Sequence, residues 1–177
     1  NAIRNTIRSF ALENNYSCYD AREHSGWLKN IIIRYCTTGE LMVNICLNHD
    51  SVSDRSKLFD HLLEQVPSIT TLLYTINPKW NDSIYDLEPQ VYHGKGFVVE
   101  KLDSFQFKVS PKSFFQTNTI QAERLYAVAR DFAGLSGNEV GYDLYCGTGR
   151  FGFFLGGLAY KWRGWGVVAD AVREWGD

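Results

Sequence analysis

Residues 140–150 of this 177-residue chain read VGYDLYCGTGR. The apolar and β-favouring residues predict a short strand, Val140–Tyr145, that carries a carboxylate, Asp143, close to its end. Two glycines, Gly147 and Gly149, follow, and after them comes an apolar segment predicted to be helical. Glycines let a backbone turn sharply and approach a ligand, while N–H groups at a helix start attract negative charge. The pattern predicts a strand–turn–helix unit of the kind that opens a doubly wound α/β sheet.

Two classes of cofactor use such a turn. Gly147-x-Gly149-x-x-Gly152 matches the fingerprint of dinucleotide sites, where the pyrophosphate lies at the helix start. S-adenosylmethionine has no phosphate and benefits instead from a carboxylate near its amino group and from close backbone contact. Asp143 lies four residues before the first glycine and fits the second class better. A glycine turn that only packs a helix against a strand, with no ligand, is the third interpretation.

The rest of the chain divides near Pro111 into a mixed α/β region and the start of a helix–strand–turn–helix region. Before Pro111 the periodicity predicts a helix over Ala2–Asn14, a hairpin of Ile31–Cys36 and Leu41–Cys46, a helix capped by Ser53-Asp54 and ended by Pro67, and strands at Ile69–Ile76, Phe97–Leu102 and Phe105–Val109. After it we expect a helix from Asn118 or Thr119 to Ala133 with Leu125, Val128, Ala129 and Phe132 buried, a helix reaching about Tyr160, and a last strand at Trp165–Val168.

Net charge, cysteine content and hydropathy argue against several classes of function. The net charge is −2, and neither side of Ser110 has an excess of basic residues, which argues against a strong non-specific nucleic-acid binder. The four cysteines form no CxxC pair, so a zinc site or a secreted disulfide framework is not expected, and no metal is predicted. No apolar run approaches the roughly 18 residues that a membrane helix needs, which favours a cytoplasmic protein with no membrane partner.

Several motifs in a fixed order carry a resemblance to a known family. They include KVSPKSFFQTN at 108–118 followed by DLYCGTG at 143–149. Further motifs are HSGWLKNIIIR at 24–34, TGELMV at 38–43, INPK at 76–79 and Asn81-Asp82. Together these resemble the RNA (uracil-C5)-methyltransferases, the enzymes that modify uridines of ribosomal or transfer RNA, and the resemblance reaches to about Ala159.

The resemblance implies an α/β protein with a central α/β domain at residues 1–110 and the beginning of a Rossmann-like methyltransferase domain at 111–177. It implies S-adenosylmethionine as cofactor and RNA as partner, with 23S ribosomal RNA favoured over transfer RNA. In this family a cysteine thiolate adds to uracil C6, C5 receives the methyl group, and a carboxylate removes the C5 proton. The resemblance places that cysteine and carboxylate beyond Asp177, so we expect this chain to be an inactive piece of a longer enzyme.

The resemblance also assigns site residues. The cofactor site is assigned to Asp143, Tyr145, Cys146, Gly147, Thr148 and Gly149. Phe114 and Gln116 match the family's base pocket, although core packing for Phe114 and a loop hydrogen bond for Gln116 are the alternatives. One departure is Gly166, which falls where the family carries an acidic residue that holds the ribose hydroxyls.

Two other functions stay open, a dinucleotide-dependent oxidoreductase and a non-catalytic RNA-binding module. For the second, Arg22, Lys29 and Arg34 are candidates for phosphate contacts, and a solvated surface explains them equally well.

Overall fold

The computed structural model describes residues 1–144, 152, 155 and 160–164. The chain divides into two compact units. The first contains Asn1–Glu100 with Ser110–Lys112, and the second contains Lys101–Val109 with Ser113–Asp177. The domain boundary predicted at Ser110 stays a prediction.

Three helices and eight strands are described. In chain order they are α1 (Ala2–Glu13), β1 (Leu28–Tyr35), β2 (Leu41–Leu47), α2 (Val52–Gln65), β3 (Thr71–Ile76), β4 (Gln90–His93), β5 (Val98–Leu102), β6 (Phe105–Val109), α3 (Thr119–Ala133), β7 (Val140–Asp143) and β8 (Lys161–Gly164). The mixture of helices and sheets agrees with the predicted α/β class.

A four-stranded sheet in the order β1-β2-β3-β4 forms the centre of the first unit. β1 and β2 are the antiparallel hairpin that the sequence predicts, and Gly39 in its turn has φ +85°. β2 and β3 run parallel, which requires a crossover, and α2 supplies it. β4 pairs antiparallel with β3 and forms one edge of the sheet.

The hydrophobic core of this unit lies between the sheet and the two helices α1 and α2. It is built from apolar residues at helical spacing in α1, namely Ile3, Ile7 and Ala11, from Leu58, Phe59 and Leu62 of α2, and from the inward side chains of the strands. All seven residues of β2 are buried, because this strand lies inside the sheet and is covered on both faces. Its polar Asn44 is satisfied by Thr75 on β3, whose hydroxyl donates to it over 3.0 Å.

The second unit contains α3 and the parallel pair β7 and β8. Asn118 caps α3, since its side-chain oxygen accepts from the Gln121 amide at 3.0 Å. The helix ends at Gly134, whose left-handed φ of +56° is the usual glycine stop. Gly152 and Leu155 are helical and buried, in line with the helix predicted after the glycine turn.

Several local features of the structure differ from the predictions. Ser51, rather than Ser53-Asp54, is the N-cap of α2, and its hydroxyl donates to Asp54 at 2.7 Å. Strand β4 was not predicted, because its four residues between Pro89 and Gly94 show little apolar alternation. The last described strand, β8, lies four residues before the predicted Trp165–Val168, which falls outside the described residues.

The buried face of α3 also differs from the prediction. Thr119, Ala122 and Tyr126 are buried, whereas Leu125, Val128 and Phe132 are 58%, 50% and 88% exposed. Both sets have helical spacing, so periodicity alone could not choose between them. In the structure, the Glu123 carboxylate accepts a hydrogen bond from the Asp103 amide at 2.8 Å and joins the helix to the β5–β6 turn.

Candidate functional site

Asp143 occupies the place in the fold where a ligand is expected. It is the last residue of β7, and it pairs in parallel register with Gly164 at the end of β8. In open parallel sheets, ligands bind outside the carboxyl ends of the strands. The Asp143 side chain is half-buried, so the carboxylate lies at the surface of the unit without being fully solvated.

The remaining residues assigned to the cofactor site, Tyr145, Cys146, Gly147, Thr148 and Gly149, lie outside the described residues, as does Gly166. Their assignment stays a prediction. Opposite Asp143 the strand end offers Gly164, which has no side chain to hold a ribose. Of the residues predicted for the cofactor site, Asp143 is the one that lies within the described part of the chain.

The segment between β6 and α3 holds the two residues assigned to the base pocket. Phe115 is 7% exposed, and its ring lies 6.3 Å from that of Phe107 at an angle of 58°. This packing anchors the segment, and the neighbours of Phe115 on both sides, Phe114 and Gln116, are exposed. Phe114 keeps 66% of its surface exposed, so Phe115 takes the core position that was the alternative for Phe114.

The turn that leads into β7 is held by Glu139. Its carboxylate accepts from the backbone amides of Ser136, Gly137 and Asn138 at 3.0–3.1 Å and from the Ser136 hydroxyl. These hydrogen bonds, that of the Ser136 side chain first, lower the pKa of Glu139 to about 2. The charged form of Glu139 therefore braces the chain between α3 and the strand that carries Asp143.

Two of the cysteines in the described part of the chain are not activated as nucleophiles by their surroundings. Cys36 and Cys46 are buried, and burial raises the pKa of each thiol to about 11. Both thiols therefore stay protonated at neutral pH, and neither offers a thiolate for addition to a pyrimidine. The third cysteine, Cys18, is exposed.

The three candidates for phosphate contacts have different environments. Arg34 is half-buried, its guanidinium donates to the Pro111 carbonyl at 3.5 Å, and burial lowers its pKa. Lys29 donates to the carbonyls of Lys79 and Asn81. Arg34 and Lys29 thus hold the fold of the first unit, while Arg22 is exposed.

Trp80 is a candidate binding residue that was not predicted from the sequence. It is 74% exposed, and its ring stacks on that of His24. The sequence does place a large aromatic residue in a loop rich in asparagine and proline. Sequence alone, however, does not show which aromatic residues of a loop are exposed.

No helix among the described residues has the length and apolar character to cross a membrane. Nor do they contain a cluster of three or more His, Cys, Asp or Glu side chains that could hold a metal ion.

No family model matches the chain, but curated proteins named as RNA methyltransferases are similar to it over nearly its whole length. It is 44% identical over 98% of its length to an uncharacterized RNA methyltransferase of Bacteroides thetaiotaomicron, and 41% identical over 97% of its length to one of Porphyromonas gingivalis. The chain spans 39% and 37% of these relatives, respectively.

A solved structure supports the same relationship. The Pyrococcus abyssi tRNA (uracil-54, C5)-methyltransferase, in complex with S-adenosyl-L-homocysteine, matches 96% of the chain with a TM-score of 0.74 and 26% sequence identity. The match covers 41% of that enzyme. The likeness confirms the α/β class and the family resemblance carried by the motifs. Over nearly its whole length, this chain is similar to proteins named as RNA methyltransferases.

Proposed function

We propose that the chain is the central domain and the opening of the methyltransferase domain of an S-adenosylmethionine-dependent RNA uridine C5-methyltransferase. The observation that carries this proposal is the likeness, over 96% of the chain, to a tRNA uracil-C5 methyltransferase with a bound cofactor product. Asp143 at the carboxyl end of a parallel strand adds a local argument. Ribosomal RNA is the proposed substrate and transfer RNA the alternative, and the proposed location is the cytoplasm.

The described residues fit part of such a cofactor site. Asp143 would accept hydrogen bonds from the amino group of the methionine moiety, which is positively charged at neutral pH. When bound, S-adenosylmethionine supplies an electrophilic methyl group. At the described end of β8, Gly164 carries no carboxylate that could hold the ribose hydroxyls.

Phe114 and Gln116 would act on the target base. A uridine must leave its stack to reach a cofactor, and an exposed aromatic ring can pack against the unstacked base. The Gln116 amide carries both a donor and an acceptor, which suits the edge of uracil. Both side chains are exposed, and Phe115 fixes the backbone between them.

Nucleophilic addition to the base requires a thiolate. Cys36 and Cys46 do not supply it, because both are buried and protonated. In line with the family resemblance, we propose that a cysteine outside the described residues performs this step.

Titration of the chain with S-adenosyl-L-homocysteine tests the proposal. Asp143→Asn removes a charge-assisted hydrogen bond worth about 1.5–3 kcal/mol and should weaken binding by roughly tenfold or more. Asp131→Asn changes an exposed carboxylate at the end of α3 and is the matched control, with unchanged affinity expected. Equal affinity for the wild type and Asp143→Asn would remove Asp143 from the site.

A further inference from the structure

The first unit presents an exposed aromatic surface that the proposed methyl transfer does not use. It consists of His24 and Trp80, whose rings are stacked with centroids 4.2 Å apart at 10°, together with Tyr19 and Lys29. The Tyr19 hydroxyl lies 3.3 Å from His24 Nδ1, and the Lys29 ammonium lies 4.2 Å from the centre of the Tyr19 ring. Two separate segments of the chain thus meet in one aromatic surface.

The segment that carries His24 is rigidly built. The Asp20 amide donates to the Ser25 carbonyl at 2.7 Å, and the Asp20 carboxylate accepts from the amides of Arg22 and Glu23. His24 itself has φ +49°, a conformation that costs a residue with a Cβ atom free energy. Strained residues of this kind persist where the surrounding structure fixes them, and they concentrate at functional sites.

The loop that carries Trp80 is equally well fixed. Asn77 is fully buried, donates to the Asn81 carbonyl at 2.9 Å and accepts from the Lys79 amide at 3.1 Å. From the other side, Lys29 donates to the carbonyls of Lys79 and Asn81. The backbone on both sides of Trp80 is therefore held, and the indole does not have to be ordered when a ligand binds.

Trp80 remains open to solvent despite its partner. One face of the indole is covered by His24, yet 74% of the residue is exposed. The opposite face is thus accessible. A flat, rigid, open aromatic face fits a planar ligand, and every nucleobase can stack on one.

We propose that Trp80, backed by His24, is a stacking platform for an unpaired base of the RNA substrate. The choice of RNA rests on the proposed function. The surface has acidic residues, Asp20, Glu23 and Asp82, beside the basic ones, so stacking rather than phosphate attraction supplies most of the binding here. Such a contact would bind the RNA at a nucleotide other than the target uridine and help to select single-stranded regions.

Binding of fluorescein-labelled oligouridine to the full 177-residue chain, followed by anisotropy, tests this proposal. Trp80→Ala should weaken binding roughly tenfold, and Trp80→Phe should restore most of the loss, because a ring remains. Tyr85→Ala, which removes another exposed aromatic of the same loop, is the matched control and should change affinity less than about twofold. The slope of log affinity against log salt should be the same for wild type and Trp80→Ala, since no phosphate contact is lost.

A second ligand separates stacking from charge. An oligomer of equal length with abasic sites keeps the phosphates, and it should bind the wild type and Trp80→Ala equally. Equal affinity of the wild type and Trp80→Ala for oligouridine would refute the stacking platform. It would also be refuted if the wild type did not bind oligouridine, which is the result expected if this surface contacts a protein. Either result leaves the proposed function standing if S-adenosyl-L-homocysteine still binds, because that titration contains no RNA.

Discussion

Gly26→Ala should destabilise the first unit strongly, because Gly26 combines an unfavourable conformation with a close backbone approach. Its φ is +109°, and a Cβ atom placed there would lie 2.3 Å from the Cys18 carbonyl oxygen and 2.7 Å from Tyr19 Cα. Real Cβ atoms essentially never come closer than 3.0 Å to another heavy atom. The backbone that leads into the His24 segment would have to move, since none of these atoms belongs to a flexible side chain.

Gly39→Ala is the matched control. Gly39 has φ +85°, a similarly glycine-favouring conformation, but a Cβ atom there would meet nothing within 4 Å. Conformation alone costs about 1–2 kcal/mol, which sets the expected loss for Gly39→Ala. For Gly26→Ala we expect about 2–4 kcal/mol, because the steric overlap adds to the conformational term.

The free energy of unfolding can be measured by urea titration, with amide hydrogen exchange in β1 and β2 reporting on the first unit alone. We expect Gly26→Ala to lower the free energy of unfolding clearly more than Gly39→Ala does. Equal losses would show that the close approach of residues 18–19 and 26 carries no energetic weight, and the account of the His24 segment would be wrong.

Two further predictions concern the cysteines and the turn before β7. With iodoacetamide at neutral pH, we expect Cys18 to react in the folded chain. Cys36 and Cys46 should react only after unfolding, because burial keeps both thiols protonated. Peptide mass spectrometry measures the labelling of each cysteine, and rapid labelling of Cys46 in the native state would contradict the prediction. The pKa of Glu139 is lowered in the folded state from 4.5 to about 2, so its contribution to stability is full above about pH 4.5 and disappears as the pH falls towards 2. Wild type and Glu139→Gln should therefore differ in the stability of the second unit at pH 7 and converge near pH 2, and a difference that does not change with pH would refute the role of the charge.

The parts of the fold that follow from local pattern were predictable. Helix α1 and the β1–β2 hairpin have clear periodicities, and their residues fall where the pattern predicts. Strand β4 was not predictable, since it owes its conformation to pairing with β3 rather than to its own residues.

Choices that depend on tertiary context were beyond the sequence. Helix α3 has two sets of residues with helical spacing, and the set that was not predicted is the buried one. On the helix, Glu123 accepts a hydrogen bond from Asp103, a residue outside α3, and this contact accompanies that burial. In the same way, the pair Phe114 and Phe115 leaves open which ring is buried, and packing on Phe107 decides it.

Among the site residues, the sequence predicted Asp143 through a motif, and the structure puts it at a strand end. The stacking of His24 and Trp80 joins residues that are far apart in the chain, and no local pattern could have shown it. Motifs thus predict a cofactor site at Asp143, whereas the aromatic surface is visible only in the folded structure.

We propose that the glycine-rich sequence after Asp143 belongs to a methyl-donor site rather than to a dinucleotide site. Competitive titration of the wild-type chain with S-adenosyl-L-homocysteine and NAD distinguishes the two. We expect S-adenosyl-L-homocysteine to bind more tightly, with no displacement by NAD at equal concentration. Tighter binding of NAD would refute the methyl-donor site and favour the oxidoreductase alternative.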